Sequence, residues 1–154
     1  MILYLIQHGE AESTAESPER TLTEKGKAGI TKTASFFKQL QPAVKEIWHS
    51  GKVRALQTAE ILRDIACPDS ELAVHQYLNP MDPVGDIAIE LEAHELPQLV
   101  IVGHLPHLGR LASYLLTGDR DSMPISFHNA GIVCLRNTHG KWEAEWIVTP
   151  SILG

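Results

Sequence analysis

Leu99-Val100-Ile101-Val102-Gly103-His104-Leu105-Pro106 is the stretch on which the reading of the fold turns. Its four leading residues are apolar with no polar alternation, the pattern of a strand covered on both faces. Gly103-His104 closes the run. Pro106 then opens a helical pattern that turns Leu108, Leu111, Ala112 and Leu115 inward. A covered strand that runs straight into an amphipathic helix is the building unit of an α/β sheet.

The same alternation extends in both directions. Ile2 to Ile6 is a second unbroken apolar run, followed by a polar loop from Glu10 to Arg20. A helix is expected from about Glu24 to Leu40, with Ile30, Ala34 and Phe37 on its inner face. Thr21 with Glu24 fits a capping box there, and Thr23 serves equally well as N-cap. Glu46-Ile47-Trp48-His49 reads as a short strand. Ser50 is then expected to cap a helix that buries Ala55, Ala59, Leu62 and Ala66. A further extended piece is placed around Val74. Asp82-Pro83 supplies an N-cap and a first-turn proline for a helix with Val84, Ile87, Ala88 and Leu91 inside. Gly131 to Leu135, a turn at Asn137 to Gly140, and a strand alternating Trp142, Ala144, Trp146 and Val148 form a terminal hairpin.

The expected fold is therefore α/β: a three-layer sandwich whose mostly parallel central sheet is flanked by helices and ends in a C-terminal β-hairpin. Residues 1–154 are expected to make one domain, since the chain is too short to divide into two ordinary cores. No apolar run approaches the roughly 20 residues of a membrane span. The apolar N-terminus has no basic flank and reads as a strand, not a secretion signal. Cys67 and Cys134 sit in apolar surroundings, so they are expected as free thiols in a reducing, cytoplasmic compartment. A net charge of -6 argues against nucleic-acid and membrane-surface partners, either of which would require a basic face.

Three polar clusters stand where a strand gives way to a loop or helix. They are Gln7-His8-Gly9-Glu10, His49-Ser50-Gly51-Lys52-Val53-Arg54, and Gly103-His104-Leu105-Pro106. Open α/β sheets bind ligands beyond the carboxyl ends of their strands, and helix N-termini there would aim backbone N–H groups at an anion. Taken singly, each cluster has a plain explanation. His8-Gly9 would be a turn, Arg54 a solvated helix residue, and His49 and His94 packing residues. Two histidines and an arginine at three strand ends point instead to a phosphate pocket.

At this point the sequence resembles the histidine phosphatase superfamily, the phosphoglycerate mutase-like proteins. Gln7-His8-Gly9 is similar to that family's Arg-His-Gly signature with one residue changed. Arg54-Ala55-Leu56-Gln57-Thr58-Ala59 resembles its second arginine motif, and Val102-Gly103-His104-Leu105-Pro106 its second histidine motif. Within the superfamily the resemblance is closest to the small bacterial phosphohistidine phosphatases of the SixA type. Arg20-Thr21-Leu22-Thr23 with Gly26, the Leu78-Asn79-Pro80 to Gly85-Asp86 link and the Trp146 to Pro150 stretch support it, so it spans nearly the whole chain.

The resemblance implies a cofactor-free, metal-independent phosphatase in which His8 attacks phosphorus and water then hydrolyses the phospho-imidazole. It assigns His8, Arg54 and His104 as catalytic, and Gln7, Gly9, Arg20, Arg54 and His104 as phosphate-binding. The implied substrate is a phosphohistidine or related phosphoprotein, such as a phosphorelay or phosphotransfer protein; oligomeric state is not implied. Two alternatives stand beside it: a phosphomonoesterase for small metabolites, and a weakened or inactive member that only binds a phosphorylated ligand. The second arises because Gln7 replaces an arginine. An uncharged donor there forfeits on the order of 2–4 kcal/mol of transition-state stabilisation, by analogy with deleted oxyanion-hole donors. Glu10, Asp82 and Asp86 are the carboxylates placed to act as a general acid, although helix-start roles suit both aspartates better.

Overall fold

The two unbroken apolar runs lie side by side at the middle of a sheet. In the computed structural model, which describes residues 1–154, Ile2–Gln7 (β1) pairs in parallel with Gln98–Gly103 (β4), Ile2 opposite Gln98 and Gln7 opposite Gly103. The remaining strands are Glu46–His49 (β2), Glu71–Val74 (β3), Ile132–Thr138 (β5) and Lys141–Val148 (β6). The sheet order is β3-β2-β4-β1-β5-β6. Strands β1 to β4 run parallel, and β5 and β6 are antiparallel to their neighbours, so the sheet is mixed.

Strand alternation divides the core into two layers. Tyr4, Ile6, Ile47, Val100 and Val102 face helices Glu24–Gln39 (α1) and Val53–Ala66 (α2), where Ile30, Ala34, Phe37, Ala55, Ala59 and Leu62 meet them. Leu3, Leu5, Trp48, Leu99 and Ile101 face helices Val84–Ala93 (α3) and His107–Thr117 (α4), meeting Val84, Ile87, Leu91, Leu108, Leu111 and Ala112. At about 25 cal/mol per Å² of apolar surface, each fully buried Leu or Ile contributes roughly 1.5–3 kcal/mol. Both faces of β1 and β4 are thus covered, as the absence of polar alternation requires. No helix is long and apolar enough to cross a membrane. Cys67 and Cys134 are free and buried.

Of the two caps expected for α1 one is found, and three other local expectations are corrected. Thr23 caps α1, its side chain accepting from the Gly26 N–H. Ser50 does not cap α2; Lys52 holds that position with no side-chain cap, and the Ser50 hydroxyl is engaged elsewhere. Asp82 does not cap α3, whose N-cap is Pro83. The Asp82 carboxylate instead closes a preceding turn, accepting from the Asn79 N–H at 2.9 Å. The alternation in β6 does not place its members on one face. A bulge between Cys134 and Leu135 shifts the register, so Trp146 packs on the α1 side and Trp142 on the α4 side. The β5–β6 hairpin turns at His139 and Gly140, both with positive φ, as a tight two-residue loop requires.

Candidate active site

Parallel strands deliver their carboxyl ends to one edge of the sheet, so the three polar clusters converge there. The His8 N–H donates to the Gly103 carbonyl at 3.1 Å, which continues the β1–β4 pairing one step past the strands. The His8 and His104 rings lie 5.1 Å apart, centroid to centroid, at 53°. Arg54, in the first turn of α2, donates from Nε to His8 Nε2 at 3.3 Å. The two imidazoles and the guanidinium therefore share one site, with His8 9% and His104 1% exposed.

The hydrogen bonds of His8 fix its tautomer. Nδ1 lies 2.7 Å from the Gly9 carbonyl, which can only accept, so Nδ1 carries the proton. Nε2 is left with its lone pair directed at the Arg54 donor. Burial lowers the His8 pKa below the ordinary imidazole value; the Gly9 carbonyl opposes this, and the Arg54 and Arg20 cations add to it. His8 is therefore neutral at neutral pH, with its lone pair on the atom that faces the pocket.

His104 is held neutral more firmly. Burial, then His8, Arg54, Lys52 and His107, bring its pKa down to about 3. Its Nε2 lies 2.6 Å from the Ser50 hydroxyl, which also accepts from the Lys52 N–H at 3.3 Å. Burial and the neighbouring Arg20 likewise lower the Arg54 pKa from its usual value. Cations crowded into a partly dry site favour the arrival of an anion. Arg20 stands at the edge of this group. It holds a left-handed backbone conformation (φ 54°) that is costly for a side-chain-bearing residue, and its Nε donates to the Glu12 carbonyl at 3.0 Å.

The second-arginine motif explains itself in the contacts of α2. Thr58, fully buried, accepts from the Gly9 N–H at 3.0 Å and donates to the Arg54 carbonyl at 2.8 Å. Gln57 accepts from the Leu22 N–H at 2.8 Å. These bonds tie the loop after β1 to the helix that carries Arg54. Glycine is required where that loop meets α1: a Cβ on Gly26 would overlap the Glu10 backbone, and one on Gly9 would come within 2.9 Å of the Gly26 carbonyl. Asn129 completes the support, donating from Nδ2 to the His8 carbonyl at 3.0 Å.

The expected site residues thus separate into groups. His8, Arg54 and His104 come together, with Arg20 beside them. Gly9 has both backbone groups engaged, its N–H by Thr58 and its carbonyl by His8. It positions His8 and has no donor left for phosphate. Gln7 ends β1 opposite Gly103, with its Oε1 buried and without a protein partner. The Glu10 carboxylate accepts from the Thr23 hydroxyl at 2.7 Å, Asp82 is held in its turn, and Asp86 is exposed in the first turn of α3. None of the three hydrogen-bonds His8, Arg54 or His104. His94 packs edge-on against Trp48, and His49 is buried, accepting from the Gly51 N–H. No grouping of three or more His, Cys, Asp or Glu side chains is disposed to hold a metal ion.

Sequence reasoning missed the roles of Ser50, Thr58 and Asn129. Ser50 and Thr58 lie inside the motifs themselves and could have been suspected. Asn129 sits 121 residues from its partner, in a loop with no pattern to mark it.

Comparison with known proteins gives a consistent placement. The family model for the histidine phosphatase superfamily (branch 1) matches residues 3–79. Over 155 residues, 94% of this chain and 90% of the relative, the sequence is 34% identical to an uncharacterized protein of Picosynechococcus sp.. Among solved structures, the protein histidine phosphatase SixA complexed with tungstate superposes with a TM-score of 0.90 at 26% identity, covering 100% of both chains. The alpha-ribazole phosphatase from Shigella flexneri shares the fold, with a TM-score of 0.79 at 13% identity over 97% of each chain.

Proposed function

The chain belongs to the histidine phosphatase superfamily and is SixA-like in structure, and from that premise we propose that it hydrolyses protein-borne phosphohistidine through a phosphoryl intermediate on His8 Nε2. The observation that carries the reading is the tautomer of His8. With its proton held on Nδ1 by the Gly9 carbonyl, Nε2 presents a lone pair beside Arg54 and across from His104.

The lone pair on His8 Nε2 attacks phosphorus, the bond from phosphorus to the leaving group breaks, and its electrons depart with the leaving group. His8, already bonded to the Gly9 carbonyl through Nδ1–H, becomes a phosphorylated imidazolium stabilised by that bond. Arg54 neutralises the non-bridging oxygens with a fixed fork of donors. His104 lies across the pocket, where the charge of the transition state develops. Water then attacks phosphorus, the P–Nε2 bond breaks, and inorganic phosphate leaves with His8 neutral again.

The substrate class follows from the leaving group. An alkyl phosphate departs as an alkoxide and needs a proton donor, yet Glu10, Asp82 and Asp86 make no hydrogen bond to the trio. A phosphohistidine ring can take its proton from solvent at the far nitrogen and leave as neutral imidazole. The P–N bond is therefore the bond this arrangement suits. Steady-state turnover on a phosphohistidine-bearing phosphotransfer protein, compared with a panel of alkyl phosphates including a nucleotide-derived one, tests the choice. The expected result is a kcat/KM at least tenfold higher on phosphohistidine, at least about 1.4 kcal/mol of discrimination. Equal or better turnover of an alkyl phosphate would give the site to small metabolites.

A further inference from the structure

The turn His128-Asn129-Ala130 serves more than the nucleophile. The Gly131 N–H donates to the His128 carbonyl at 2.9 Å and closes the turn. Ala130 is buried and holds a left-handed backbone (φ 60°), a strained conformation that its surroundings must fix. They do so from two sides. Its N–H donates to the Gln7 carbonyl at 2.9 Å, and its carbonyl accepts from the buried Thr33 hydroxyl at 2.7 Å. Asn129, between them, bonds the His8 carbonyl. The same three residues also line a cleft of about 340 Å³ for which the reaction above has no use.

Helix α1 supplies another wall of this cleft. Lys25, Gly29 and Lys32 line it at i, i+4 and i+7 of the helix. That spacing places them on one face, with the two lysines about 10 Å apart along the axis. Gly29 leaves the space between them open, and a Cβ there would meet Ala130 and Pro150 at no less than 3.5 Å, ordinary contact. Elsewhere in the chain lysines are paired, Lys27 with Glu24 and Lys141 with Glu143, but Lys25 and Lys32 have no such partner. The one carboxylate in the lining, Glu10, is engaged by the Thr23 hydroxyl at 2.7 Å. In a chain with 19 acidic and 13 basic residues, two unpaired cations beside a hollow reverse the prevailing charge locally.

We propose that this cleft docks an acidic segment of the protein that carries the phosphohistidine, its carboxylates pairing with Lys25 and Lys32. The inference rests on the phosphatase reading above. Charge selects the occupant: ammonium groups without counter-ions attract carboxylates, and such exposed pairs steer and orient a partner more than they hold it. Spacing selects a chain over a small anion. A span of about 10 Å matches carboxylates three positions apart on an extended segment, whereas one small anion would require both lysines to bend to a single point and lose rotamer freedom. Asn129 joins the cleft to the nucleophile, so a segment seated there lies beside the site that receives the phosphoryl group.

The test compares three substrates on the full chain: a phosphohistidine peptide flanked by Asp and Glu, the same peptide with Asn and Gln in their place, and phosphoramidate. The wild type should favour the acidic peptide about tenfold in kcat/KM, chiefly through KM, and the preference should shrink as salt screens it. In the double variant Lys25→Glu/Lys32→Glu that preference should vanish or invert, while phosphoramidate turnover stays at the wild-type rate. Gly29→Gln fills the cleft with a neutral side chain and leaves both lysines; it should also erase the preference. Equal use of the two peptides by the wild type would overturn the inference and leave the phosphatase reading intact. So would a preference that survives the lysine reversal, or one that survives Gly29→Gln. Phosphoramidate turnover lost along with the peptides in the lysine variant would place the lysines at the phosphoryl centre and overturn docking too. A wild type that turns over none of the three would remove the phosphatase reading and the inference together.

Discussion

Replacing Thr58 by valine removes one hydroxyl and nearly no volume, and the structure sets out what should follow. That hydroxyl is fully buried and is the hydrogen-bond acceptor of the Gly9 N–H at 3.0 Å. In the Thr58→Val protein this N–H is left buried and unpaired, a cost of about 1–3 kcal/mol. The Arg54 carbonyl loses a second donor but keeps its helical partner. For a chain of this size each kcal/mol moves the thermal midpoint by roughly 2–4 °C, so a fall of about 2–12 °C is expected. Gly9 also supplies the carbonyl that fixes the proton on His8 Nδ1. Loosening it should lower kcat about tenfold, roughly 1.4 kcal/mol, with a smaller effect on KM. Circular dichroism melting and steady-state kinetics measure the two effects, and Thr58→Ser, which restores the hydroxyl, should recover both. A Thr58→Val protein melting within about 1 °C of the wild type with undiminished kcat would refute the argument that α2 orients the nucleophile through Gly9.

The sequence was informative where a physical constraint leaves a local mark. Ile2 to Ile6 and Leu99 to Val102 lack polar alternation because helices cover both faces of β1 and β4, and that pattern can be read without coordinates. The convergence of His8, Arg54 and His104 was legible for a related reason: parallel strands bring their carboxyl ends to one edge, whatever the sequence separation. What could not be read depends on choices among equivalent local options. Ser50 stands where a helix cap belongs, and only the coordinates show its hydroxyl turned to His104. Asp82 likewise serves its own turn in place of the helix. The bulge at Cys134 and Leu135 moves Trp142 and Trp146 to opposite faces, a one-residue shift that alternation in β6 alone does not reveal.

Further predictions follow from the same contacts. A glycine inside a helix normally gains about 1 kcal/mol on change to alanine, but Gly26→Ala should destabilise by about 1–3 kcal/mol, because its Cβ would overlap the Glu10 backbone; a urea unfolding midpoint at or above the wild-type value would contradict this. Arg54→Lys keeps a charge and loses the fork that holds His8 Nε2, so kcat/KM should drop about 10²–10³-fold; near-normal kinetics would show that a point charge suffices. Because burial and the Arg54 cation lower the His8 pKa, the acid limb of kcat/KM should lie below the free imidazole value of about 6.5 and move upward in Arg54→Met; a limb already above that value in the wild type would be inconsistent. Histidines 8, 49, 75, 104 and 107 all resist protonation in the fold, so unfolding takes up protons below about pH 6.5. Their contribution to stability is complete above that pH and is lost as the pH falls, with the share of His104 still declining towards about 3; a urea midpoint unchanged between neutral and mildly acidic buffer would count against it.

The most direct measurement is on the nucleophile itself. The protein is mixed with a phosphohistidine-bearing protein, quenched rapidly in alkali to preserve P–N bonds, and mapped by mass spectrometry, with 31P–15N correlation to identify the ring nitrogen. The expected product is a transient phosphoryl group on His8, joined through Nε2 and absent from His8→Ala. Turnover with no label on His8, or with phosphorus on Nδ1, would contradict the central claim.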